Sequence, residues 1–253
     1  MELLELPWPA VKALSRDTPV VIPIAALEQH GHHLPVFTDS LLLGEVLRRV
    51  KADVGDRVLF APLYWLGNSE HHLDFPGSMS AAPRTYLDTL RDMAENFVRH
   101  GFRRIVFVNG HGGNIVPAQQ ATFELRQKYR ERKDLLLLSV TYWTAGAEPL
   151  KDVTGLKQDR MGHACEWETS MILRLAPQLV VGDVKAVPDV PFGRAFEPAH
   201  RAWVMPDRSV PGHIGFPRHA SADKGEGLFQ SFAKAVVALL DRVVAWDGRE
   251  WDV

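Results

Sequence analysis

Short apolar runs alternate along the chain with stretches in which apolar residues recur every three or four positions. Val-Val-Ile-Pro-Ile-Ala at 20–25 predicts a first strand, with Pro23 arguing against a place inside a sheet. Asp39-Ser40 predicts a helix start with a side-chain cap, followed by Leu41, Leu42, Val46, Leu47 and Val50 on one side. Residues 58–63 read as a second strand. From Thr85 to His100 the positions Leu87, Leu90, Met93, Ala94, Phe97 and Val98 mark one buried helix face, and Gly101 supplies the stop. A third strand is predicted at 105–108, a polar helix running to about Arg132, and a fourth strand at 135–140. A helix at 166–175 is ended by Pro177. A fifth strand is expected within 180–187, and 228–246 reads as a closing helix.

Strand, helix, strand, helix is the order of a parallel sheet covered on both faces. The expected fold class is α/β: a single-domain three-layer α/β/α sandwich with a mainly parallel sheet, spanning 1–253. Residues 188–224 are rich in Pro, Gly and aromatics and show no period. So long an irregular segment is expected to be functional or to pack across the sheet.

Composition narrows the picture by exclusion. The formal net charge of −2 gives no drive toward nucleic acid or an anionic membrane. No stretch approaches the ~20 apolar residues of a membrane span. The single cysteine, Cys165, allows no intrachain disulfide, and the acidic start Met1-Glu2-Leu3-Leu4-Glu5 is unlike a signal peptide. The expectation is a cytoplasmic protein with a small-molecule substrate.

The chemistry gathers where predicted strands end. Leu27-Glu28-Gln29-His30-Gly31-His32-His33-Leu34-Pro35, with Thr38-Asp39, follows the first strand, and Asn109-Gly110-His111-Gly112-Gly113-Asn114 follows the third. In an open α/β sheet, ligands bind at the carboxyl ends of strands, so Glu28, His30, Asp39 and His111 are expected around one cleft. Imidazole and carboxylate together suit zinc or manganese. Asp39 is short enough to bridge two ions. A third cluster runs from Gly162-His163 through Cys165, Glu166 and Glu168 to Ser170. If it opens a helix, His163 and Glu166 share a face, and a neutral His163 could carry a proton. Cys165 is expected to be a small buried residue rather than a nucleophile. A fourth segment, Gly67-Asn68-Ser69-Glu70-His71-His72 before Phe75-Pro76-Gly77-Ser78, should border the same cleft. His32, His71, His72, His213 and His219, taken singly, are expected to support the site or to lie on the surface. His33 is expected to serve by hydrogen bonding.

These motifs, with Glu168-Thr169-Ser170, Gly212-His213-Ile214-Gly215-Phe216-Pro217 and Ala222-Asp223-Lys224-Gly225, resemble the creatininase family of metal-dependent amidohydrolases over residues 18–230. The resemblance implies an α/β fold, two divalent ions, zinc and/or manganese, and a homo-oligomer, often a hexamer. By motif position Glu28 and His111 would bind one ion, His30 the other, and Asp39 both. His163 would be catalytic, while Ser69 and Trp143 would contact substrate. Creatininases carry Tyr-Glu straight after the histidine of the third-strand turn; here those positions are Gly112 and Gly113. Gly112 therefore stands in the substrate-binding position of the lost tyrosine. The missing carboxylate is expected from Glu166 or Glu168. The implied activity is hydrolysis of a non-peptide C–N bond, in a cyclic amide or formamide, by a metal-bound hydroxide. The alternatives are a metal-dependent peptidase acting on a small peptide precursor, a metal-dependent sugar isomerase or lyase, and a non-catalytic metal-binding subunit.

Overall fold

The computed structural model describes residues 1–193 and 196–248. Strands β1 (Val20–Ile24), β2 (Leu59–Phe60), β3 (Arg104–Asn109) and β4 (Leu136–Thr141) form one parallel sheet in the order β2-β1-β3-β4. The α-helices are α1 (Trp8–Ala13), α2 (Thr38–Val54), α3 (Pro83–Arg99), α4 (Ile115–Lys128), α5 (Pro149–Asp152), α6 (Glu166–Leu175), α7 (Met205–Arg208) and α8 (Ala222–Ala245).

Every residue of β1 is buried, because the strand has neighbours at both edges and helices on both faces. Its side chains alternate between two cores. Val20, Ile22 and Ile24 pack with Ile105 and Phe107 against Leu90 and Ala94 of α3 and Ala121 and Leu125 of α4. Val21 and Ala25 pack with Val106 and Val108 against Leu43 and Val46 of α2, Met171 of α6 and Phe229 of α8. Burying side chains of this size contributes about 1.5–3 kcal/mol each. The result is the expected three-layer α/β architecture with an all-parallel sheet.

Pro23 sits in an interior strand, against expectation, for a local reason. Its carbonyl accepts from Tyr64 N–H (2.9 Å), and a residue's N–H and C=O point to the same side of a strand. The missing donor therefore faces β2, which has already left the sheet after Phe60. The ladder there is resumed only by the isolated Ile24–Tyr64 bridge.

Four other expectations change. The second strand is two residues long rather than six. The polar helix stops at Lys128 rather than near Arg132. Asp39 does not cap α2: Phe37 occupies the cap, and Asp39 lies inside the first turn with its side chain free to face the cleft. The predicted fifth strand at 180–187 is absent. That segment is mostly exposed, broken by Gly182, and contains a single 3₁₀ turn, Val184–Ala186, in which the Asp183 side chain accepts from Lys185 N–H (2.9 Å).

Candidate metal centre

Three elements deliver the cluster. After β1 the chain folds back, tied by Glu28 N–H to Val36 O (2.8 Å), which turns Glu28 and His30 inward. The first turn of α2 adds Asp39 at the positive end of a helix. Beyond β3, Asn109 shapes the turn: its side-chain oxygen accepts from His111 N–H (3.0 Å), and its amide donates to His111 O (2.7 Å) and Thr141 Oγ1 (3.0 Å). Glu28, His30, Asp39 and His111 are all at least 96% buried. His111 Nδ1 lies 3.0 Å from Asp39 Oδ2 and 3.3 Å from Glu28 Oε1, and His30 Nε2 lies 3.2 Å from Asp39 Oδ1.

Surrounding carbonyls set the imidazole tautomers. His30 Nδ1–H donates to Glu28 O (3.0 Å), which leaves Nε2 bare toward Asp39. His111 Nε2–H donates to Asn68 O (3.1 Å), which leaves Nδ1 bare toward both carboxylates. His163 Nε2–H donates to Gln29 O (2.7 Å), so its bare Nδ1 faces Glu28 Oε1 at 3.5 Å. The Gln29 side-chain oxygen accepts from Gly31 N–H (2.8 Å), fixing the amide. Its NH₂ group then donates to Gly212 O (2.8 Å) and His72 Nδ1 (2.9 Å). His72 is thereby left with Nε2–H, which points at Glu28 Oε1 (3.4 Å). Gly212 is required here: it has φ +76°, and a Cβ would lie 2.4 Å from Gln29 Oε1.

Burial opposes charge throughout the cluster, and the partners decide which groups keep it. Burial works against the His30 and His111 cations, but with no ion bound the carboxylates outweigh it by keeping a proton on His30 Nε2 and His111 Nδ1: His30 rises well above its usual range and His111 to about 10, and a divalent ion would displace those protons to reach the nitrogens. Burial likewise opposes the Asp39 anion, yet His30 and His111 hold its carboxyl well below the usual range. For Glu28 burial prevails and raises the carboxyl. Burial, reinforced by His30 and His72, holds the His163 imidazole far below its ordinary value and therefore neutral.

The cluster fits divalent cations. Glu28 Oε2, His30 Nε2 and Asp39 Oδ2 are buried and lack an aligned hydrogen bond. Bare lone pairs of this kind facing one another are costly unless a cation lies between them. The ligand atoms of Glu28, His30 and Asp39 lie within 4.8 Å of one another, as do those of Glu28, His71 and His111.

Of the two expected replacement carboxylates, Glu168 reaches the cluster, with Oε1 3.7 Å from His30 Nε2. Glu166 does not. Its Oε2 accepts from Lys157 N–H (2.7 Å) and Gln158 N–H (2.9 Å), and its Oε1 pairs with Lys224 (2.6 Å). The two residues lie two apart on α6, about 200° around it, and cannot face the same way. The shared face expected for His163 and Glu166 also fails, because α6 begins only at Glu166. His163 instead lies in an extended bridge to Ile214. Ser69 is fully buried with Oγ 3.3 Å from His111 Nε2. Trp143 packs edge-on against Tyr142 beside the core and is not among the residues brought to the cluster. Gly112 is exposed, with nothing within 4 Å of a Cβ built there. At Gly113 a Cβ would lie 2.2 Å from Asn68 O, so a carboxylate side chain has no place on this backbone. Burial pushes the Cys165 thiol up to about 12, which suits a packing residue.

Sequence reasoning assigned no role to Gln29 and left His71 and His72 as supporting or surface groups. The only signal for Gln29 was its place between two predicted ligands.

The sequence pattern described as "Creatininase: Creatinine amidohydrolase" matches residues 4–240. Creatinine amidohydrolase of Pseudomonas putida is 32% identical, covering 88% of this chain and 89% of that protein. Mycofactocin precursor peptide peptidase of Mycolicibacterium smegmatis is 29% identical, covering 90% and 85%. Solved creatininases described as a Zn–Zn type and a manganese form superpose with a TM-score of 0.79 each, at 28% and 29% identity, over 95% of this chain and 97% of theirs. With a family pattern spanning nearly its whole length and a donor cluster that fits the metals, the chain belongs to the creatininase family and is a metal-dependent hydrolase acting on carbon–nitrogen bonds.

Proposed function

We propose that the protein cleaves a non-peptide C–N bond, in a cyclic amide or formamide bulkier than creatinine. Glu28, Asp39 and His111 would hold one divalent ion, and His30, Asp39 and Glu168 the other, as zinc or manganese. When bound, such a pair supplies the positive charge that makes water acidic near neutral pH and offsets charge developing on a carbonyl oxygen. The observation that carries the reading is His163. Its Nε2–H is pinned to Gln29 O, its Nδ1 is bare and faces the cluster, and burial keeps it neutral. Nδ1 accepts the proton of the attacking water and returns it to the departing nitrogen. Gln29 and His72 hold Glu28 and His163 in register, as supporting groups do at metal sites.

The open space at Gly112 supports a substrate with bulk beside His111. It also favours a second reading, a small peptide precursor, in line with the named activity of the Mycolicibacterium relative. A homo-oligomer belongs to the proposal: Val116 and Phe123, two turns apart on one side of α4, are exposed at 72% and 62%. The test is a screen of formamides, cyclic amides, lactams and short peptides with zinc- and manganese-loaded protein, following amine release. Formamide or lactam turnover, with creatinine below ~10⁴ M⁻¹s⁻¹ in kcat/KM, is expected. Turnover of peptides alone selects the second reading, and a product formed without uptake of water overturns both.

A further inference from the structure

We propose that His71 is a metal ligand of this protein, joining Glu28, Asp39 and His111 around one of the two ions. The assignment rests on the dinuclear reading above. Four observations carry it. The ligand atoms of His71, Glu28 and His111 lie within 4.8 Å of one another. The His71 ring lies nearly parallel to that of His111, at 5.8 Å and 19°, and is held from behind by the perpendicular Trp203 ring at 5.1 Å. No hydrogen bond among the described residues engages either His71 nitrogen, so a lone pair is available. The turn opposite leaves space for it: a Cβ at residue 113 would lie 3.0 Å from His71 Cε1, and glycine removes that contact.

The neighbouring histidine shows the contrast. His72 Nδ1 accepts from the Gln29 amide, which leaves its Nε2–H toward Glu28 Oε1 at 3.4 Å. Consecutive residues in one 3₁₀ turn, Glu70–His72, thus divide the work, with His72 orienting a ligand and His71 being one. Imidazole nitrogen is a donor that zinc accepts beside carboxylate oxygen, so His71 would add a nitrogen to the donor set of Glu28, Asp39 and His111.

The test uses zinc alone and the full chain. Long-range ¹⁵N–¹H spectra of histidine-labelled wild-type protein are recorded as zinc is added. One His71 ring nitrogen should move to the position of a metal-coordinated nitrogen, together with those of His30 and His111, while His72 keeps its Nε2–H form. In His71→Ala, one of two zinc ions should bind at least ~10-fold more weakly against a competing chelator. Free imidazole should restore it, which a purely structural loss would not allow. An unmoved His71 signal at two bound zinc ions per chain overturns this assignment and leaves the dinuclear reading standing. A chain that binds no zinc overturns both. The wild-type spectra decide the matter even if the variant does not fold.

Discussion

The two sides of the cleft are built in different ways. The floor consists of strand ends and one helix start: Glu28 and His30 after β1, Asp39 in α2 and His111 after β3. All are buried and set by the central sheet. The roof is the irregular segment 157–165 together with residues 214–215, where His163 forms an isolated bridge with Ile214 outside the sheet. It nevertheless supplies His163. Two ties clamp that residue: backbone bonds to Ile214 (2.9 and 2.7 Å) and the side-chain bond to Gln29 O. Ala164, next to it, has φ +48°, a left-handed conformation that costs a non-glycine residue of order 1 kcal/mol. His33 donates to its carbonyl at 3.1 Å and so connects this strained position to the floor. Regular elements position the candidate ligands Glu28, His30, Asp39 and His111, whereas an irregular segment positions His163.

Breaking the floor should have the largest effect. Asp39→Ala removes the carboxylate that faces both His30 and His111, and should lose most of both metals and all measurable turnover. Elemental analysis after dialysis checks this, and wild-type metal content in the variant would sink the bridging assignment. On the roof, His163→Ala should keep both metals and lose ~10²–10⁴-fold in kcat, the range for a general acid–base group. Loss of metal in step with activity would move His163 to the floor's side of the comparison.

Cutting the tie between the two sides should cost less. Gln29→Leu removes the amide's bonds to His72 and Gly212 while leaving every ligand, and should lower activity or metal affinity ~10–100-fold. Parallel metal titration and kinetics separate the two effects. The smallest functional change is expected at Glu166, which sequence placed at the site and the structure does not. Glu166→Gln leaves Lys224 without its carboxylate partner and should destabilise the protein by about 1–3 kcal/mol. Metal content and kcat should stay within about twofold. Thermal unfolding and elemental analysis check this pair, and a lost metal would return Glu166 to the ligand set.

The sequence by itself determined the layered α/β fold and pointed to Glu28, His30, Asp39 and His111, which the structure gathers beyond the strand ends. Those features are local: apolar period marks strands and helices, and ligands sit within a few residues of a strand's end. It also singled out His163 through its motif match, while the helical face conditionally expected for His163 and Glu166 does not form. What the tertiary structure decided depends on groups distant in the chain. Glu168 rather than Glu166 faces His30 because α6 is rotated by its packing on α8, where Lys224 claims Glu166. The run at 180–187 is apolar enough for a strand, but it is interrupted by Gly182, turns at Val184–Ala186 and lies mostly exposed outside the sheet. Gln29, His71 and His72 gained their places only when residues 69–72, 111–113 and 212 met, because hydrogen-bond direction and the room left by a missing Cβ are properties of that meeting and of no single segment.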